Sequence, residues 1–190
     1  MSKYFDIKDF SKITESDISE HNKLLENVSK FTAQFDDGKI NCFLSHSYED
    51  RNLIERIKYT LEKDSELQVF VDWMEEPQRN PNEAANRIKD ALNRSHSVLI
   101  IKTENSMQST WVPWEVGYFE ALNSQNDNDV LNKIGVLLIE DEANGFTKES
   151  LPENCFEHHE YMKRYKMLGK DDLKEFCTET YDASNMIEDI

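Results

Sequence analysis

Glycine and proline are scarce, five and four among 190 residues. That leaves little material for linkers or low-complexity segments, and the length suits one domain with an appended element. Cysteine is nearly absent as well. Cys42, Cys155 and Cys177 are odd in number and lack C-x-x-C spacing, so a disulfide framework is excluded and free thiols in a reducing cytoplasm are expected. Cationic residues are outnumbered, 22 Lys and Arg against 38 Asp and Glu, for a net charge of -16. Nucleic acid and anionic membranes are therefore poor partners, because phosphate binding depends on clustered cations. No apolar run approaches membrane-spanning length, and Met1-Ser2-Lys3-Tyr4-Phe5-Asp6 has no signal-peptide core. A Gly-rich phosphate loop and a G-x-S-x-G elbow are also missing, which removes P-loop, dinucleotide-fingerprint and nucleophile-elbow chemistry. Cys155, His158 and His159 lack the spacing and fourth partner of a zinc site, so no metal is expected.

What is present is an alternation of short apolar runs and amphipathic stretches. The runs are Ile40–Leu44, Gln68–Val71, Val98–Ile101 and Ile134–Ile139. Between them, Leu53, Ile54, Ile57 and Leu61 mark one helix within Asp50 to Asp64. Ala84, Ile88, Ala91 and Leu92 mark another, from about Asn82 to Arg94. Nearly continuous apolar strands alternating with helices predict a parallel sheet covered on both faces. The expected fold is α/β and flavodoxin-like, with four to five strands. Residues 1–38 read as a helical extension, with Leu24, Leu25, Val28, Phe31 and Phe35 at helical spacing. The extension is expected to pack on the domain at 39–180; self-association is the alternative. Tyr161, Tyr165, Leu168, Leu173 and Phe176 suggest short helices around Gly169, with Asp171 as a cap, and Glu140-Asp141-Glu142 reads as solvated loop.

The stretch Ser109-Thr110-Trp111-Val112-Pro113-Trp114-Glu115 opens a further helix, with a hydroxyl cap and a proline in the first turn. Trp111 and Glu115 then share a face with Tyr118 and Leu122, and large apolar neighbours desolvate the carboxylate. Ligands of open parallel sheets bind outside the carboxyl ends of the strands. Ser45, His46 and Ser47 follow the first strand there, Asp72 and Trp73 the second, Thr103 and Glu104 the third. Each residue also has a plain structural reading. The serines can cap the next helix, His46 can donate to a turn, the indoles can be core, and Asp72 can close an Asx turn.

Three of these segments, in order, carry a resemblance. Cys42-Phe43-Leu44-Ser45-His46-Ser47-Tyr48-Glu49-Asp50 resembles the first box of Toll/interleukin-1 receptor (TIR) domains, and Val69-Phe70-Val71-Asp72-Trp73 their second strand. Ser109 to Glu115 is similar to the W-x-x-x-E segment of NAD-cleaving TIR enzymes, including the stand-alone bacterial antiphage proteins of the Thoeris type. The chain departs from that pattern at Asn80-Pro81-Asn82 and at Trp114. The resemblance implies an NAD glycohydrolase or ADP-ribosyl cyclase, with NAD as substrate and no separate cofactor. It implies Glu115 as the catalytic carboxylate and Trp111 as its aromatic neighbour. Ser45 and His46 would meet the nucleotide, and Asp72 and Trp73 would border the pocket. Implied partners are further TIR domains and a separate effector reached through a nucleotide signal. The alternative is a non-catalytic TIR module that recruits partner TIR domains. A receiver domain would need paired acids after the first strand, where this chain has Ser-His-Ser.

Overall fold

The computed structural model describes residues 3–31, 40–63, 67–71, 81–123, 133–151, 165–173 and 175–176. Its strands are β1 (Phe5–Asp6), β2 (Ile40–Ser45), β3 (Leu67–Val71), β4 (Ser97–Lys102), β5 (Ile134–Glu140) and β6 (Lys166–Leu168). The α-helices are α1 (Glu15–Phe31), α2 (Arg51–Lys63), α3 (Pro81–Asn93) and α4 (Trp111–Asn123). The four apolar runs thus become β2, β3, β4 and β5, and α3 begins on Pro81, which needs no partner for an N–H there.

All strand pairs are parallel, in the order β1-β5-β4-β2-β3, with β6 also on β5. β2 is followed by β3 on one side and by β4 on the other. The direction of winding therefore reverses between β2 and β4, and a crevice opens there at the carboxyl ends. Alternation along each strand separates two cores. Cys42, Leu44, Val69, Leu99 and Ile101 pack with Ile54, Ile57 and Leu61 of α2. Phe43, Val98, Ile100 and Val136 pack with Ile88 and Leu92 of α3 and with Val112, Val116 and Phe119 of α4. Each such side chain contributes about 1.5–3 kcal/mol when fully buried. Burial also pushes the Cys42 thiol up to about 11, which keeps it protonated and inert.

Both ends of the chain depart from the sequence reading. The N-terminal extension is not purely helical: Phe5 and Asp6 pair with Ile139 and Glu140. The tail, expected to be helical around Gly169, first forms β6, which pairs with Gly135 to Leu137. β6 and β1 lie end to end along the same edge of β5, so two chain ends build one edge strand. A two- or three-residue strand has no readable periodicity, and only the partner defines it. The cap after β6 is Asp172, which accepts the Gly169 N–H at 2.8 Å, not Asp171. Glu140 is not solvated loop either. It ends β5, is buried, and accepts the Lys148 N–H at 3.0 Å.

The join between the two ends requires Gly169. A Cβ there would stand 2.9 Å from the Lys3 carbonyl oxygen, whose acceptor role for the Lys170 N–H holds it in place. Gly169→Ala is expected to destabilise the protein by about 1–3 kcal/mol, the usual cost of forced overpacking. A thermal melt unchanged by the substitution would show that the join is slack.

α1 is tied to α2 through Glu62, whose buried carboxylate meets His21 at 3.0 Å and Lys58 at 2.5 Å and accepts the Val69 N–H at 2.9 Å. The apolar stripe expected at Leu24 to Phe35 falls on side chains outside the described set, as do Tyr161, Cys155, His158, His159 and Cys177.

At the opposite end of the sheet from the crevice, His96 Nδ1 accepts the Asn41 N–H at 3.0 Å, a bond made only by a ring unprotonated at that nitrogen. Burial, with the nearby Lys133 cation, lowers its pKa from 6.5, and burial lowers that of His46 in the same sense. Below pH 6.5 the unfolded chain therefore binds more protons than the folded one, and stability falls as pH drops through that value. Melting temperature is expected to be flat just above pH 6.5 and to decline below it. His96→Gln should flatten that decline; an identical slope in both proteins would exclude His96 as its source.

Candidate active site

α4 follows β4 and lies across the end of β2. Its buried stripe is Val112, Glu115, Val116 and Phe119. The expected grouping of Trp111, Glu115, Tyr118 and Leu122 holds only in part: Tyr118 is half-buried and Leu122 is 42% exposed. The reason is the sheet. The helix settles on it through Val112, Val116 and Phe119, and that rotation carries Glu115 inward and Leu122 outward. Ser109 supplies the cap, its Oγ accepting the Trp111 and Val112 amides at 3.3 and 3.5 Å.

Glu115 is only 5% exposed. Ser45, the last residue of β2, lies on the sheet face that α4 covers, is fully buried, and donates its hydroxyl to Glu115 Oε2 at 2.5 Å. That bond ties the side chain on α4 to the end of β2. Ser45 was expected to meet the nucleotide; in this structure its hydroxyl donates to the Glu115 carboxylate.

A cavity of about 230 Å³ opens over this pair at the carboxyl rim, lined by His46, Ser47, Tyr48, Ile88, Gln108, Ser109, Thr110, Trp111 and Glu115. His46 is bonded to the backbone and also stands at the cavity. Its Nδ1 bonds the Leu44 carbonyl at 3.1 Å, and the ring lines the cavity. Ser47 makes no side-chain capping bond to the turn that follows. Trp111 packs on the α3–α4 core and also lines the cavity, set edge-on to Trp114 with centroids 5.6 Å apart. Trp114 in turn stacks on Tyr118 at 5.8 Å. Asp72 and Trp73 lie outside the described residues.

Sequence reasoning missed Tyr48, Gln108 and Ile88 as cavity residues. Tyr48 adjoins Ser45-His46-Ser47 and could have been read from that position. Ile88 looked only like core, and nothing in the pattern marks Gln108.

A carboxylate, a half-buried indole and a phenol ring around one crevice, at the point where a parallel sheet reverses its winding, define a flavodoxin-like α/β domain with an acid-bearing cleft. The chain belongs to the TIR domain family: the family profile described as "TIR domain" matches residues 42–168. Two relatives are similar to it. A Bacillus cereus (strain MSX-D12) protein, provisionally named a 3′ cyclic ADP-D-ribose synthase, ThsB′, is 32% identical over 114 residues, 54% of this chain and 53% of that protein. A Cytobacillus dafuensis protein, provisionally named a cyclic ADP-D-ribose synthase, TIR2, is 29% identical over 87 residues, 43% of this chain and 23% of that protein. The chain therefore spans about half the length of the first relative and less than a quarter of the second.

Proposed function

We propose that this protein cleaves the nicotinamide–ribose bond of NAD and closes the remaining ADP-ribose into a cyclic nucleotide. The observation that carries the reading is the buried Glu115 carboxylate, held by Ser45 and open to a cavity walled by Trp111. The names of the two relatives support the cyclic product.

The chemistry needs one acid. Most O-glycosidases use two carboxylates because one must protonate a poor leaving group. In NAD the leaving group is a pyridinium. When the C–N bond breaks, its electron pair neutralises the ring nitrogen, and nicotinamide departs without a proton. Positive charge grows on the anomeric carbon, and a fixed carboxylate beside it lowers the barrier. Glu115 holds that role, and Ser45 keeps its charge oriented before the substrate arrives. A hydroxyl of the same molecule then adds to the anomeric carbon and loses its proton, so the product is NAD less nicotinamide. Indole and phenol faces keep water from capturing the sugar first. The cavity is smaller than the roughly 300–1,000 Å³ of whole-ligand pockets, so it takes the nicotinamide riboside end, and the rest of the dinucleotide runs along the rim.

We place the protein in the cytoplasm, where NAD is available. Among the described residues no helix is long and apolar enough to cross a membrane. The nucleotide would act as a signal on a separate effector in antiviral defence, and self-association through the TIR domain would set the activity. The test is mass analysis of protein incubated with NAD, both free and concentrated to promote assembly. Nicotinamide together with a product one water lighter than ADP-ribose is expected. Linear ADP-ribose alone would remove the cyclisation step; no nicotinamide under either condition would remove the enzyme and favour a TIR recruitment module.

A further inference from the structure

Asp50 does not line the cavity and takes no part in the reaction described above, yet it is a buried carboxylate. Both its oxygens are used by residues more than fifty positions away. One accepts the Thr103 hydroxyl at 2.5 Å and the other the Asn105 side-chain amide at 2.7 Å. Its own N–H donates to the Ser47 carbonyl at 3.1 Å and closes the turn Tyr48–Asp50. From Thr103 the bonds continue. The Thr103 N–H donates to Ser106 Oγ at 2.9 Å, and the Ser106 N–H returns to Thr103 Oγ1 at 3.1 Å. The Ser109 N–H donates to the Ser106 carbonyl at 3.2 Å, and Ser109 Oγ caps α4. A continuous path thus joins the Tyr48 turn to the start of the helix that carries Glu115.

Both ends of that path line the cavity: Ser47 and Tyr48 at one end, Ser109 and its neighbour Gln108 at the other. Tyr48 lines the cavity and is 50% exposed, so its ring is open to a planar group. A carboxylate presents acceptors to both donors at once. An amide would turn its NH2 group either toward the Asn105 amide, which cannot accept through nitrogen, or toward Thr103 Oγ1, which already accepts the Ser106 N–H and would then lose the acceptor for its own hydroxyl proton.

We propose that Asp50 is a positioning residue that clamps together the two segments lining the Glu115 cavity and holds the Tyr48 ring at its mouth. The proposal rests on the reading that this cavity takes NAD. The clamp fixes the width of the cleft, so its loss weakens substrate binding more than the bond-breaking step.

The experiment compares wild type, Asp50→Asn and the swap Asp50→Asn with Asn105→Asp. It uses steady-state nicotinamide release and amide hydrogen exchange. Asp50→Asn is expected to raise KM about tenfold while kcat stays within about threefold, the pattern of lost binding rather than lost transition-state contact. The buried Thr103 and Ser106 amides should exchange about tenfold faster while those of β5 do not change. The swap restores a donor facing an acceptor and should recover both quantities. An unchanged KM, uniform acceleration across the sheet, or a swap that recovers neither quantity would overturn the clamp. If wild type releases no nicotinamide, the NAD reading fails by itself. The exchange arm then decides: acceleration confined to Thr103 and Ser106 and reversed by the swap keeps the clamp, and any other pattern ends it.

Discussion

Glu115→Gln is expected to lower nicotinamide release by about a thousandfold or more, the scale on which one preorganised electrostatic group acts in a water-poor site. Glutamine has the same shape and still offers an oxygen to the Ser45 hydroxyl, so the fold should persist and the loss should fall on kcat. What disappears is the negative charge beside the anomeric carbon. Glu120, on the same helix but away from the cavity, is the control. Glu120→Gln should stay within about threefold of wild type, because exposed and half-exposed substitutions away from a site are usually mild. Comparable turnover by the Glu115 and Glu120 variants, with both folded by circular dichroism, would remove Glu115 from the mechanism.

The second large effect concerns Ser45. Ser45→Ala takes a hydrogen-bond donor from Glu115 Oε2 and leaves a methyl group in a fully buried position. Losing a partner from a buried charged group costs about 1–3 kcal/mol or more. Part of that should appear as stability and part as catalysis, since a carboxylate free to change rotamer spends less time at the reacting carbon. A fall in kcat of about ten- to a hundredfold is expected, at nearly constant KM, because the serine itself does not reach the cavity. A rise in KM without loss of kcat would instead restore Ser45 as a direct contact to the nucleotide. The same variant made on Glu115→Gln gives a double-mutant cycle. If Ser45 acts through Glu115, the second substitution should add almost nothing to the first.

These expectations draw on very unequal amounts of sequence information. Strands β2 to β5 could be read because each is a short, mostly apolar run, with β4 and β5 buried on both faces, and their alternation with helices predicted the parallel sheet. Glu115 and Trp111 could be read because one helical turn separates them at a strand-end helix start. The edge strand made of β6 and β1 could not be read, since neither piece has a pattern of its own. Glu140 misled for a related reason. A charge in an acidic triplet looks solvated, and bonds such as that from the Lys148 amide at the end of β5 make its burial tolerable.

The sequence by itself determined the α/β alternation, the net negative surface, and the helix start that brings a carboxylate to the carboxyl rim. These depend on periodicity and local chemistry, which survive in one dimension. Tertiary structure alone decided which face of α4 is buried, that Ser45 serves Glu115, and that Asp50 bridges to Thr103 and Asn105. Those contacts span 70, 53 and 55 residues. Such pairs meet only when the sheet reverses its winding between β2 and β4 and brings two distant loops to one crevice. No local propensity encodes that meeting; it follows from how the strands are ordered.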